Sequence, residues 1–576
     1  MNLKFSEILS ANQKLGKSLH GKEYPVGIIS NITVNQLKEI FEYFLRIESI
    51  NATCTMGNYD NIVQDSDEFS QKKLVVIFWE LANIIDGLQY KADLMGDDML
   101  DELISKVKHE LQFVFENLKE TSHVVINSFS SLIFNANNIE KNKFDKIADE
   151  LNKFLVDNKP ANFSIINIDK IIAQLSVEKS IDLRYYYSSK ALYSIDFYKS
   201  WSDFVLPLVR SLNGKAKKAL IFDCDNTLWK GVLGEEGFDN ILLSANQPGG
   251  TPYEEVQFLA KQLSREGIIV GLCSKNNPED VDEVLEKHSK MILKNDDLTI
   301  KKVNWTDKVT NLENIATSLN IGKDSLVFVD DSNFEINFVN EMLPEITTLQ
   351  VPHKISDYPG IIRKNLGLFY NASKTTEDLK RVEMYKEQVK RVEAKSGFEN
   401  LESYIKSLGI ILDIYIDDRA IVPRMSQMTQ KTNQFNLTTK RYSESDIQKF
   451  VDDPNYLVVA IGVSDKFGDN GVTGLAIIKI NGGLAEIDTL LMSCRIIGRN
   501  IESRYFDFLI DFMQEKGVNK VEANYLKTLK NNQVENFYEK LGFFVQGQEN
   551  EDKFYTLTLK DYKPHFINYM QIKNGR

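Results

Sequence analysis

The chain has 576 residues, 43% of them apolar and 26% charged, with a net charge of −13 at pH 7. These proportions suit a globular protein of roughly three to five domains, and the acidic balance speaks against a nucleic-acid partner or an electrostatic membrane surface binder. No run approaches the ~20 apolar residues of a membrane span, residues 1–17 lack the apolar core of a signal peptide, and four cysteines without a CxxC pair argue against a disulfide scaffold or structural zinc, so a cytoplasmic protein with no membrane partner is expected.

In chain order, residues 24–30 (YPVGIIS) predict a buried strand, NQLKEIFEYFLRI a helix, and 72–80 (KKLVVIFWE) a second buried strand. Continuous apolar strands separated by helices suggest a parallel sheet covered on both faces, and 1–215 is taken as one α/β domain. From 216 to 352 the pattern is clearest. KKALIF runs into DCDNT; TPYEEVQFLAKQLSREG is an amphipathic helix stopped by Gly267; IIVGLC ends at Ser274; Pro278 opens a helix. Thr306 is expected to cap TDKVTNLENIATSLN, and SLVFV ends at Asp330 and Asp331. The β-α-β-α-β order predicts a doubly wound parallel sheet. Residues 375–396 predict a charged helix within a connector at 353–400. From 401 to 576, strand-like runs (YLVVAIGVSD, GVTGLAIIKI, LAEIDTLLMS) precede a helix and a final strand–helix–strand, a third domain of α+β type.

Ligands of an open parallel sheet sit beyond the carboxyl ends of its strands. The central domain places Asp223 and Asp225 after one strand, Ser274 after another, and Asp330 with Asp331 after a third, while Lys308 opens an intervening helix. Converging carboxylates repel unless a hard cation neutralises them, and oxygen ligands suit Mg²⁺. Carboxylates, magnesium, a lysine and a hydroxyl are the components of phosphoryl transfer.

Asp223-Cys224-Asp225-Asn226-Thr227, Ser274, Lys308 and Asp330-Asp331 resemble, in order and spacing, the four-motif signature of the haloacid dehalogenase (HAD) superfamily. The strings FDCDNTLWKGVLGEEG, LCSKNNPEDV, WTDKVTNL and FVDDSNFE are similar to those of its FkbH subgroup, and the likeness extends to YPVGIISNIT and LMSCRIIGRNIE. The resemblance implies Asp223 as the nucleophile that becomes an aspartyl-phosphate and Asp225 as general acid and base. It implies Mg²⁺ on the side chains of Asp223 and Asp330 and the carbonyl of Asp225. Ser274 and Lys308 would hold the transferring phosphoryl group, with Thr227, Asn276 and Asp331 in support.

In FkbH-like proteins a cysteine at the position of Cys224 is associated with a glyceryl thioester, formed from D-1,3-bisphosphoglycerate and passed to an acyl carrier protein. Cys224 is therefore expected to be catalytic, although adjacent carboxylates should raise a thiol's pKa, strict alternation would turn it away from the face shared by Asp223 and Asp225 unless a loop turns it back, and cysteine is also a common buried packing residue. The insertion 228–250 is too short for a separate cap, which favours an open site and a macromolecule-borne substrate, or closure by a neighbouring domain; Trp229 and Phe238 line this flap or belong to local core.

Arg495-Ile496-Ile497-Gly498-Arg499-Asn500 resembles the pyrophosphate loop of GNAT acyltransferases, with Asn500 where that family has a small residue, and NNQVENFYEKLGF resembles their second motif, with Tyr538 as the acid for a leaving thiol. The likeness implies that Arg495, Gly498, Arg499 and Tyr538 hold phosphopantetheine or CoA; a GNAT fold that binds nothing is the alternative. In the N-terminal domain Ser30-Asn31 and Gly57-Asn58 resemble the first blocks of SGNH hydrolases. No histidine falls near the domain's end, where the base is expected, so a degenerate, non-catalytic SGNH- or flavodoxin-like domain is expected. The function these likenesses imply is Mg²⁺-dependent dephosphorylation of a small phosphorylated metabolite, D-1,3-bisphosphoglycerate or a related acyl phosphate, with transfer of the acyl group to an acyl carrier protein. The alternatives are a plain phosphatase on a small phosphate ester and a GNAT-type acyltransferase in polysaccharide or secondary-metabolite biosynthesis.

Overall fold

The computed structural model describes residues 3–19, 23–372, 380–395, 401–565 and 567–573. His20 and residues 375–379 and 396 of the expected charged helix lie outside them. The chain forms two compact units, Met1–Arg210 and Ser211–Arg576. No helix among the described residues is long and apolar enough to cross a membrane.

In the first unit, β1 (Tyr24–Ser30), β2 (Ala52–Tyr59), β3 (Leu74–Phe78), β4 (Val124–Asn127) and β5 (Phe163–Ile166) form a parallel sheet in the order β2-β1-β3-β4-β5. This is the flavodoxin-like order. Every residue of β3 and β4 is buried, which is why their sequences run apolar without alternation. Helices α1 (Asn35–Ile47), α2 (Asp97–Leu118) and α3 (Lys143–Asn158) cover the sheet. On α2 the buried set Leu100, Leu103, Ile104, Val107, Leu111, Val114, Phe115 and Leu118 follows the helical period. Asn142 and Asp145 close a reciprocal cap on α3.

Two buried titratable groups in this unit oppose each other. Burial pushes Glu80 up to about 7, although the Tyr193 hydroxyl donates to its carboxylate at 2.6 Å. Its folded pKa lies above the ordinary 4.5, so its favourable contribution is complete in acid and is lost as pH rises through about 7. Burial lowers His123 from 6.5 to about 4, so its neutral ring supports the fold above 6.5 and that support is lost as pH falls through 4. Between these limits the two slopes offset. Glu80→Gln should therefore leave hydrogen-exchange protection in β3 and β4 that falls steeply on acidification from pH 6.5, where the parent is nearly flat. Equal slopes in parent and variant would refute this.

The second unit contains two sheets. β6 (Ala219–Phe222), β7 (Ile269–Ser274), β8 (Ile300–Val303), β9 (Leu326–Asp330) and β10 (Thr347–Gln350) are parallel, in the order β10-β9-β6-β7-β8. Phe222 is level with Leu272 on one side and Val329 on the other, so the residues that follow emerge together at one edge. Helices α4 (Thr251–Arg265), α5 (Pro278–Lys287), α6 (Lys308–Leu319) and α7 (Asn333–Met342) complete the doubly wound fold.

Two expectations are corrected here. The cap of α6 is Asp307, not Thr306: its carboxylate accepts from the Thr310 N–H at 2.8 Å, and as an anion at a helix N-terminus it is the better partner. The central core also does not stop at 352. Helix α8 (Tyr358–Asn365) packs on α4, and Tyr358, Ile362 and Phe369 are buried with Val256 and Ala260.

The charged helix α9 (Arg381–Lys395) precedes the third sheet. Among the described residues this sheet has nine strands: β11 (Ile411–Ile416), β12 (Phe435–Asn436), β13 (Tyr456–Asp465), β14 (Gly468–Asn481), β15 (Leu484–Met492), β16 (Lys520–Tyr525), β17 (Phe544–Glu549), β18 (Asp552–Thr558) and β19 (Gln571–Lys573). Two helices, α10 (Val422–Lys431) and α11 (Glu444–Asp452), flank β12 in sequence. β13, β14 and β15 form an antiparallel meander, whereas β15 and β16 run parallel across helix α12 (Ile501–Glu515). The α/β class with a mixed C-terminal sheet is as the sequence predicts. Helix α9 is held to this sheet by a buried Arg391–Asp465 pair at 2.8 Å.

Candidate active site

The parallel central sheet delivers its polar residues to one place. The backbone N–H of Asp223 donates to Val329 O at 2.9 Å, extending the β6–β9 ladder by one residue. Lys308, in the first turn of α6, sets its ammonium between two carboxylates, 3.1 Å from Asp223 Oδ1 and 2.5 Å from Asp330 Oδ2. All three are buried. Asp330 also accepts from the Ser332 N–H at 2.8 Å, and the Ser274 hydroxyl donates to Asp223. Oxygen atoms of Asp223, Asp330 and Asp331 lie within 4.8 Å of one another.

Asp225 is fixed separately. Its Oδ1 accepts from Trp229 Nε1 and from the Leu233 N–H, each at 3.0 Å, and its Oδ2 accepts from Asn276 Nδ2 at 2.9 Å. Asn276 also reaches Ser274 Oγ at 3.3 Å. The turn that carries Asp225 is tight: Asn226 is left-handed at φ 50°, its side chain accepts from Gly231 N–H at 3.0 Å, and Tyr358 donates to Thr227 O at 3.1 Å. Thr227 Oγ1 is buried without a partner.

The electrostatics match this geometry. Burial raises Asp223 to about 6, with Lys308 pulling down and Asp330 pushing up. Burial likewise raises Asp330 and Asp331. Burial would lower Lys308, but Asp223 and Asp330 outweigh it and hold the ammonium charged. One lysine thus faces three carboxylates whose negative charge burial penalises, which is the donor chemistry of a hard divalent cation. Asp331 belongs to this carboxylate cluster; the sequence placed it only in support, whereas the Asp225 side chain is fully engaged by Trp229, Leu233 and Asn276.

Sequence reasoning missed two residues. Trp229, expected in a flap or in core, is completely buried and is a donor to Asp225. Tyr358 lay beyond the expected domain boundary, and no local pattern marked it. Trp229→Phe should keep the fold but lower kcat by roughly tenfold through a misplaced Asp225, with KM little changed. A kcat equal to the parent's would show that Leu233 and Asn276 suffice.

Cys224 shows no accessible thiol. It is completely buried, packed with Leu228 and Trp229, and burial together with Asp223 raises its thiol well above the ordinary value. A protonated, enclosed sulfur is not an attacking thiolate, so packing is the better account of this residue. Phe238 packs against the same core, its ring tilted 57° to that of His288 with centroids 4.9 Å apart. At the same end of the sheet, Trp305 and Phe334 are each 70% exposed, in the segments that follow β8 and β9.

In the C-terminal region three of the four expected ligand residues share the loop before the helix Ile501–Glu515, where Arg499 donates to Arg495 O. Arg495 is buried, with Nη2 donating to Asn470 O at 3.3 Å. Gly498 is left-handed, at φ 80°, with open space at its Cβ position. Arg499 donates to Asp465 at 3.1 Å and to Gln388 of α9 at 2.8 Å, so its guanidinium is engaged within the protein. Tyr538 is buried among Phe506, Phe537, Phe543 and Tyr555, its hydroxyl unpartnered. In the first unit Ser30 Oγ accepts from Ile32 N–H at 3.1 Å, Asn31 is pinned to the Glu80 backbone, and Asn58 is bonded to Asp65. His123 pairs with Ser164 and His109 with Ser105 O; among the described residues no histidine hydrogen-bonds Ser30.

Over part of its length the chain is similar to solved proteins. The N-terminal part of BF1531 from Bacteroides fragilis, containing a phosphatase domain complexed with Mg, is 26% identical, with a TM-score of 0.56 over 65% of this chain and 100% of that one. This chain resembles a magnesium-bound phosphatase. Lower similarity, at a TM-score of 0.21 over 26% of this chain, links it to two acetyltransferases. They are the ribosomal-protein-S18-alanine N-acetyltransferase of Escherichia coli (14% identity, 94% of that chain) and a GNAT-family acetyltransferase of Streptococcus pneumoniae (13% identity, 98% of that chain). No protein-family model matches the chain. No curated protein matches it.

Proposed function

We propose that this protein is a Mg²⁺-dependent phosphoryl-transfer enzyme of the HAD type, of the FkbH kind, which removes phosphate from a small acyl phosphate such as D-1,3-bisphosphoglycerate and directs the acyl group to the thiol of an acyl carrier protein. The observation that carries this is the buried Asp223–Lys308–Asp330 cluster with Asp331 beside it. Asp223, Asp330 and Asp331 would hold the cation, together with the Asp225 carbonyl; when bound, it offsets charge on the transferring oxygens.

The chain's own residues account for the rest. On a bisphosphate such as D-1,3-bisphosphoglycerate, Asp223 attacks the ester phosphorus in line, a bond from phosphorus to the carboxylate oxygen forms, and the bond to the C3 oxygen breaks, which leaves the acyl phosphate intact. Asp225, held by Trp229 and Asn276, gives a proton to that oxygen where one is needed. It then takes a proton from the water that attacks the aspartyl-phosphate and releases inorganic phosphate. Lys308 and Ser274 hold the phosphoryl oxygens. In acyl transfer, the carrier thiolate attacks the acyl carbon, a C–S bond forms and the C–O bond to the acyl phosphate breaks, so that the second phosphate leaves as inorganic phosphate. Exposed Trp305 and Phe334 offer a carrier an apolar landing beside the site. Phosphopantetheine or CoA near the Gly498 loop remains part of this reading, with open space at Gly498 in its support.

The test is intact-mass and product analysis with 1,3-bisphosphoglycerate, Mg²⁺ and a carrier protein bearing its pantetheine arm. Glyceryl-carrier and phosphate are expected, and Cys224→Ala should retain carrier loading within about threefold. Phosphate release with no acylated carrier or enzyme would reduce the function to a plain phosphatase. Loss of loading in Cys224→Ala with phosphate release intact would restore the cysteine as acyl carrier.

A further inference from the structure

The residue that ends β7 is followed by a lysine that the phosphoryl-transfer steps leave unused. Ser274 turns its hydroxyl to Asp223. The next residue, Lys275, reaches across the carboxyl edge of the sheet to Glu335 in the first turn of α7, with 2.7 Å from ammonium to carboxylate. β7 and β9, the strand before α7, flank β6 in the sheet. The pair therefore joins the loops on either side of the one that delivers Asp223. Lys275 is also felt by Asp307, the cap of α6, whose carboxyl is held below the usual range first by the Thr310 N–H and hydroxyl and also by this ammonium. Lys275 thus lies beside the turn in which Lys308 begins.

Three observations set this lysine apart from an ordinary surface pair. Its backbone is fixed on the far side: Asn276 donates to Asp225 at 2.9 Å, and Asn277 accepts from Trp305 Nε1 at 3.1 Å. Its side chain is 37% exposed where that of Glu335 is 9% exposed, so the carboxylate anchors it and the ammonium faces the mouth. Glu335 Oε2 is buried without a partner, so the ammonium supplies the compensation of that carboxylate. The mouth itself is hostile to anions, because Asp223, Asp330 and Asp331 gather around Lys308. A substrate with a second anionic group beyond its phosphorus meets repulsion there unless a cation stands outside Lys308. An ammonium has three donors and can bridge two oxyanions, as Lys308 itself bridges Asp223 and Asp330.

We propose that Lys275, anchored by Glu335, is a specificity-determining residue of this site: it binds a second oxyanion of the substrate, a carboxylate or an acyl phosphate, carried a few bonds beyond the phosphoryl group that Asp223 attacks. The inference rests on the phosphatase reading above and adds the residue by which a substrate with a second anionic group is told from one without it.

The experiment compares two phosphate esters that differ only in that group, 3-phosphoglycerate and glycerol 3-phosphate, on the full-length protein with Mg²⁺. The parent should favour 3-phosphoglycerate in kcat/KM by about tenfold or more. Lys275→Met should reduce that ratio at least about fivefold, through KM for 3-phosphoglycerate rather than kcat, and Lys275→Arg should keep most of it. A larger loss with D-1,3-bisphosphoglycerate than with 3-phosphoglycerate would identify the acyl phosphate as the preferred group; an equal or smaller loss would identify the carboxylate. If Lys275→Met fails to fold because Glu335 is stranded, the double variant Lys275→Met/Glu335→Gln removes both charges and should lower the ratio as far. Equal losses on both esters, an unchanged ratio in the folded variants, or a parent without the preference would overturn the inference and leave the phosphatase reading standing. No phosphate release by the parent from any of the three compounds would overturn both.

Discussion

Asp223→Asn is expected to abolish phosphate release from an alkyl or aryl phosphate ester, by on the order of 10³-fold or more, without loss of fold. The amide keeps the shape and can still approach Lys308 and Ser274, but it has no charge with which to attack phosphorus. Stability should hold or rise, because the substitution removes one of three carboxylates whose charge burial penalises. The measurement is initial-rate phosphate release with Mg²⁺, beside a thermal melt. Turnover within tenfold of the parent's would mean that another residue is the nucleophile. A collapse of the melting temperature would mean that the carboxylate serves the fold first.

The second large effect concerns Lys308. Its side chain is 5% exposed, against 8% for Asp223 and 0% for Asp330. Removing one partner of a buried ion pair leaves the other charge without compensation, at a cost of roughly 3–5 kcal/mol. Lys308→Met should lose about that much unfolding free energy in chelator, and millimolar Mg²⁺ should restore part of it, because the vacated space lies among groups suited to a divalent ion. Denaturant titrations with and without Mg²⁺ measure both quantities. A loss below about 1 kcal/mol, or no response to Mg²⁺, would show that the lysine does not hold these acids together.

The catalytic end of the central sheet was legible because its cause is local. Strands buried on both faces are spelled as unbroken apolar runs, so the residue at which the run ends is also the residue that reaches the carboxyl edge. Asp223, Ser274 and Asp330 could each be placed from five or six neighbours. What failed depended on partners distant in sequence. Tyr358 closes the core from 131 residues away from Thr227, to which it bonds, and the segment around it has no strand or motif to announce it. Cys224 could not be settled from alternation alone, because the strand ends at Phe222 and the chain then enters a turn that is left-handed at Asn226. Asp307 displaced Thr306 as the cap because the two are adjacent and compete for one set of N–H groups.

The pairing of Asp465 with both Arg391 and Arg499 limits how this protein can be divided. Arg391 belongs to the helix expected to be a mere connector, yet it is 2% exposed and shares one carboxylate with a guanidinium that burial lowers to about 10. A fragment beginning at residue 401 would leave Asp465 and Arg499 without their third member and open a wet gap along β13 and the loop before α12. The last 176 residues are therefore not a freely portable module, and an evolutionary or engineered transplant would have to carry α9 with it.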